Sequence, residues 1–213
     1  GGRANPYSPP GFYDVEQVQF ANGFRLVLQQ REGANSVALR LVVGLGAFDL
    51  PCGQHPLPHL LEHLVFEGTA AYPEPGAWER QIKDWGGDSN ARTYLDRTIY
   101  QIGIYGPHAP HAVAALYQLA REALLDDASL ASAQRTVHRE LGSDASAVRR
   151  WLYAHGIGQS GTAKVGEALG IRCPGMARVD GATRAGLIDL YQRYYVAGNM
   201  TLVVVGRFDK TAL

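Results

Sequence analysis

Segments of period two open this sequence, helical segments fill its middle, and one apolar strand closes it. That order constrains the fold more than any other feature. Residues 13–20 (YDVEQVQF) and 24–30 (FRLVLQQ) alternate polar and apolar side chains, the pattern of half-buried strands. Asn22-Gly23 between them is a hairpin turn signal, so 13–30 is expected to form a hairpin. Residues 36–48 (SVALRLVVGLGAF) are apolar enough for a central strand. Helical spacing then takes over in HLLEHLVFEG, which stops at Gly68, and in PGAWERQIKDWGG at 75–87. Two alternating segments follow at 89–96 and 97–106. Helices are expected over 108–125, from Ser129 to about Tyr153, and over 182–195. The stretch 156–181 holds seven glycines and reads as loop with one short helix. NMTLVVVGRF, 199–208, returns as a buried strand. Strands first, helices between and a returning strand predict an α+β fold, a mostly antiparallel sheet with helices packed on one face. Residues 1–12 are a Pro- and Gly-rich extended lead-in, and 13–213 read as one domain.

Composition narrows the function classes. Twenty basic and twenty acidic side chains cancel, and no basic block stands out, which argues against nucleic-acid binding. No apolar run is long enough for a membrane-spanning helix. Two cysteines exclude a disulfide-framework mini-domain. The sequence starts Gly-Gly without Met, from a removed leader or a cloning scar. A removed leader would imply an oxidising compartment, with a lean to the bacterial periplasm or secretion, where Cys52 and Cys173 could pair. Two unpaired thiols are the other reading.

The chemistry is carried by His59-Leu60-Leu61-Glu62-His63. Helical residues four apart share a face, so both imidazoles can aim at one point about 2.0–2.1 Å away, the usual Zn–N distance. Glu62 sits beside that point, where it can hold a water without occupying the metal, a general-base arrangement. Standing alone, the pentapeptide could also be a surface helix with two solvated histidines. A catalytic zinc needs a third protein ligand and an open position. His55 and Glu67 lie at four-residue offsets, but three side chains in a row cannot converge tetrahedrally, and Pro56 and Pro58 oppose continuing the helix to His55. The third ligand must come from another element, with Glu122, His138 and Glu140 as candidates.

HLLEH, followed 77 residues after its second His by Glu140 in RTVHRE, resembles the inverted-zincin metallopeptidases, the family of pitrilysin, insulin-degrading enzyme and the mitochondrial processing peptidase. Further similarities fall in family order: NGFRLVL at 22–28, EHLVFEGT at 62–69, WGGDSNARTYLDRTIYQ at 85–101 and YYVAGNMTLVVVGRFD at 194–209. The resemblance implies His59, His63 and Glu140 as ligands of one Zn2+ per chain, and Glu62 as the base that activates water against a peptide carbonyl. It also implies an edge strand at Ser89–Thr93 that binds extended substrate, with Asn90 and Ala91 at the contact.

The sequence departs from the family pattern twice. A Glu usually stands seven residues before the ligand Glu, where it helps orient an imidazole; here that position is Ala133. Family members also pair such a domain with a second, similar one, which supplies an Arg–Tyr pair whose role no residue here can be assigned. The resemblance therefore implies a zinc endopeptidase domain acting on peptides or unfolded segments, completed by a second pitrilysin-like domain or a homo- or heterodimer partner. The alternative is a non-catalytic subunit that binds peptide or stabilises an active chain. Trp78, Trp85 and Trp151 are expected in packing. His108 and His111 are expected at the surface.

Overall fold

A computed structural model describes residues 14–141 and 179–213. The strands are β1 (Glu16–Gln19), β2 (Arg25–Gln30), β3 (Ser36–Val43), β4 (Asp88–Thr93), β5 (Thr98–Tyr105) and β6 (Met200–Gly206). The helices are α1 (Leu57–Glu67), α2 (Ala77–Asp84), α3 (Ala109–Arg121), α4 (Asp127–Leu141) and α5 (Arg184–Tyr194). The lead-in, the extension of α4 toward Tyr153, Trp151 and nearly all of the glycine-rich stretch lie outside the described residues. So does Cys173; Cys52 is disulfide-bonded.

The strands form one six-stranded sheet in the order β1-β2-β6-β3-β5-β4. The expected hairpin is present, with Gln17 opposite Val27. Gly23 turns it with a φ of 87°, which a side chain would strain. Pairing is antiparallel except between β2 and β6, which run parallel. The closing strand thus inserts between β2 and β3 rather than adding to an edge. That insertion uses the long intervening chain as a crossover, and the apolar 200–206 segment suits an inner position.

Alternation sets the two faces of the sheet. Val37, Leu39, Leu41 and Val43 of β3 are buried, as are Tyr100, Ile102 and Ile104 of β5. They share a single core with Leu60, Leu61, Leu64 and Val65 of α1 and Leu116 and Leu119 of α3. The intervening positions face away from the helices; Arg40 among them is exposed, and Val42, Ile99 and Gln101 are half-buried. The fold is therefore α+β, with helices on one face of a mostly antiparallel sheet.

Trp78 is fully packed, as the sequence suggested. Its indole N–H donates to the Ala115 carbonyl at 2.8 Å, and its ring meets Phe66 edge-on with centroids 5.3 Å apart. Trp78→Ala removes that volume and that bond. It is expected to cost about 3–5 kcal/mol, read as a lower denaturant midpoint at unchanged slope.

Candidate metal centre

Helix α1 is positioned by its own sequence. Pro56 and Pro58 occupy its start, where a missing N–H costs nothing. At its end, a Cβ on Gly68 would lie 2.9 Å from the Pro73 carbonyl. Leu60, Leu61, Leu64 and Val65 have no exposed surface, and this stripe fixes the rotation of the helix against the core. His59 and His63 then fall together on the flank that packs against α4. His55 stays outside the helix, its ring against Phe48.

Helix α4 starts at a cap in which the Asp126 carboxylate accepts the Ser129 N–H at 2.8 Å. Its last turn brings Glu140 to α1. The three ligand atoms converge: His59 Nε2 and His63 Nε2 lie 3.1 Å apart, and Glu140 Oε2 is 3.2 Å from each. Donors bonded to one tetrahedral zinc at about 2.0–2.1 Å stand about 3.3–3.4 Å apart. The observed triangle is within a few tenths of an ångström of that, and two imidazoles with one carboxylate are side chains that could hold a metal ion. The side chains keep partial access to solvent, with His59 30% and Glu140 48% exposed. The cluster is thus reachable by water.

Glu62 is the second carboxylate near the imidazoles, its nearest ligand atom lying within 4.8 Å of theirs. Two carboxylates therefore compete for one position. Glu140 Oε2 lies 3.2 Å from both imidazoles, while Glu62 Oε2 is held by the Thr93 hydroxyl at 2.5 Å. Burial of Glu62 raises its carboxyl above the usual range, and the Thr93 hydrogen bonds pull in the opposite direction. Burial, followed by the neighbouring His63, lowers the pKa of His59 and so favours the neutral imidazole that a metal requires.

The other two candidates for a third ligand are engaged elsewhere. His138 points to the far side of α4 and pairs with Asp180. The Glu122 carboxylate accepts the Tyr117 hydroxyl at 3.3 Å, beyond the end of α3. Ala133 is completely buried. Among the described residues, neither His59 nor His63 has a hydrogen-bond partner on Nδ1, so nothing backs the imidazoles from behind.

Strand β4 forms one edge of the sheet, with Asn90 opposite Gln101 and Ala91 opposite Tyr100. Ala91 and Thr93 face the helices, and Thr93 reaches Glu62 from there. The Asn90 side chain accepts the Ala91 N–H at 2.9 Å and satisfies one donor of the strand. Sequence reading missed the role of Thr93. Its signal was the two-residue period that places Thr93 on the face of Ala91. Behind it, Thr98 donates to the Leu45 carbonyl at 2.9 Å and lies 3.3 Å from the Thr93 hydroxyl.

A family model described as insulinase (peptidase family M16) matches residues 25–155, more than half of the chain. The chain belongs to the M16 family of peptidases. Among curated relatives, nardilysin of Rattus norvegicus is 28% identical over 187 residues, 84% of this chain and 16% of that protein. The peroxisomal insulin-degrading enzyme-like 1 of Arabidopsis thaliana is 26% identical over 203 residues, 91% of this chain and 20% of that protein. This M16 chain therefore spans about a fifth or less of the length of these relatives. The fold also matches the first half of the periplasmic protease PqqL from Escherichia coli, with a TM-score of 0.73 at 22% identity. That match covers 92% of this chain and 43% of that one.

Proposed function

We propose that this chain is the metal-binding unit of a zinc-dependent endopeptidase that hydrolyses peptides or unfolded polypeptide segments. His59, His63 and Glu140 hold one Zn2+, and Glu62 is the general base. The observation that carries this reading is the 3.1–3.2 Å triangle of ligand atoms, with the buried Glu62 beside it. When bound, zinc supplies Lewis-acid polarisation of the scissile carbonyl.

The chain's own groups do the rest. Thr93 fixes one oxygen of Glu62 and leaves the other to exchange a proton. Glu62 takes that proton from water as the water oxygen bonds to the carbonyl carbon. It returns the proton to the leaving nitrogen as the C–N bond breaks. An extended substrate lies along β4 at Asn90 and Ala91, held by main-chain hydrogen bonds; it must displace the Asn90 side chain from the Ala91 N–H. The short span of the chain relative to its relatives supports completion of the site by a second pitrilysin-like domain or subunit.

A second reading, a non-catalytic subunit that keeps the fold and the metal, is favoured by the buried Ala133 and the unbacked imidazoles. Metal analysis and a quenched-peptide assay separate the two. The endopeptidase carries one zinc per chain. It cleaves alone or when mixed with the second domain, loses activity to a chelator and regains it with zinc. One zinc without cleavage in either condition would establish the second reading.

A further inference from the structure

The face of the sheet turned away from the helices carries a cationic cavity that the proposed chemistry leaves unused. Arg40 of β3 stands opposite Gln101 of β5, which stands opposite Asn90 of β4. Arg92, two residues along β4, shares that face. Together with Tyr94 these side chains line a cavity of about 200 Å³ beside β4, the edge strand of the described sheet. Among the described residues, no carboxylate lies within ion-pair distance of Arg40 or Arg92, and the Arg92 guanidinium rests 6.0 Å from the Tyr94 ring centroid. Asp88 is the one acid at the outward positions of β3, β4 and β5, and it lies over Gly103. Among the described residues, two guanidiniums thus stand uncompensated on this face, Arg92 on the edge strand and Arg40 two strands inward.

Side chains of a strand added to β4 must alternate between the two faces. Those on the face of Ala91 and Thr93 turn toward the helices and the metal centre. Those on the face of Asn90 and Arg92 turn toward the cavity. We propose that this cavity is a substrate subsite for carboxylate side chains, selecting peptides with Asp or Glu at positions that alternate with those facing the metal centre. The inference rests on the edge-strand binding proposed above. Arg92 meets the carboxylate directly across the new strand pair, the Asn90 and Gln101 amides can donate to it, and Arg40 closes the inner end. Arginine suits this role because its planar fork can grip a carboxylate by two hydrogen bonds.

The test uses the zinc-loaded Glu62→Gln chain, which holds peptide without turning it over. Three fluorescein-labelled octapeptides carry Glu, Gln or Lys at every second position and are otherwise identical. Fluorescence anisotropy is expected to give about fivefold tighter binding of the Glu peptide than of the Gln peptide, and the weakest binding for Lys. Arg40→Gln with Arg92→Gln should erase that preference, bringing the Glu peptide's Kd to within about twofold of the Gln peptide's. Arg25→Gln, on the same face of the sheet but at β2, should keep it. Equal affinities for the three peptides, a preference that survives the double substitution, or an equal loss in Arg25→Gln would overturn the subsite alone. Failure of every peptide to bind would overturn the edge-strand reading as well.

Discussion

Glu62→Gln is expected to slow peptide cleavage by about 10²- to 10⁴-fold while leaving one zinc per chain in place. The amide keeps the shape of the carboxylate but cannot accept the proton from water. Zinc is expected to stay because, in the proposed site, His59, His63 and Glu140 hold it, while Glu62 lies outside that 3.1–3.2 Å triangle and is held by Thr93. The paired readout matters because a buried polar group can fail in two ways. Loss of activity together with zinc would make Glu62 a ligand, in conflict with the shorter distances to Glu140. Activity within a few-fold of the parent would remove Glu62 from the chemistry. The fold tolerates the change, since a Gln amide oxygen still accepts the Thr93 hydroxyl.

Much of this centre is legible in the sequence because it is local. Two histidines four residues apart share one flank of any helix, and the leucine stripe at 60, 61 and 64 states which flank is buried. The sheet is legible for the same reason, since alternation at 36–43 and 98–105 marks one face of each strand. Long-range geometry is not encoded that way. Spacing alone left Glu122, His138 and Glu140 open, because choosing among them requires the packing of α4 on α1. The parallel β2–β6 pair was likewise invisible, since an apolar strand pairs equally well in either direction on paper. Thr93 and the cationic cavity depend on contacts between a strand and its neighbours across the sheet. An exposed arginine reads as a solvated charge until the structure places no acid beside it.

The choice among those three residues is open to direct measurement. Glu140→Gln is expected to weaken zinc binding by more than about 100-fold, because an amide oxygen is a neutral and poorer donor than the carboxylate it replaces. Thermal unfolding reports this independently of catalysis. Zinc at about 100 times its Kd stabilises the folded chain by about 2.7 kcal/mol, which for this size corresponds to a Tm rise of about 5–10 °C. The parent should show that rise, and Glu140→Gln should show little of it at the same zinc concentration. His138→Gln should keep the full rise, because His138 belongs to the pair with Asp180 on the other side of α4. Glu122→Gln should keep it too, since among the described residues that carboxylate is bonded to Tyr117 and not to the imidazoles. A parent without a zinc-dependent rise would mean that three donors 3.1–3.2 Å apart do not make a binding site. In that case the imidazole pair and Glu140 would be a hydrogen-bonded contact between two helices. A rise that persists in Glu140→Gln would instead move the third ligand to Glu62, the only other carboxylate among the described residues that reaches both imidazoles.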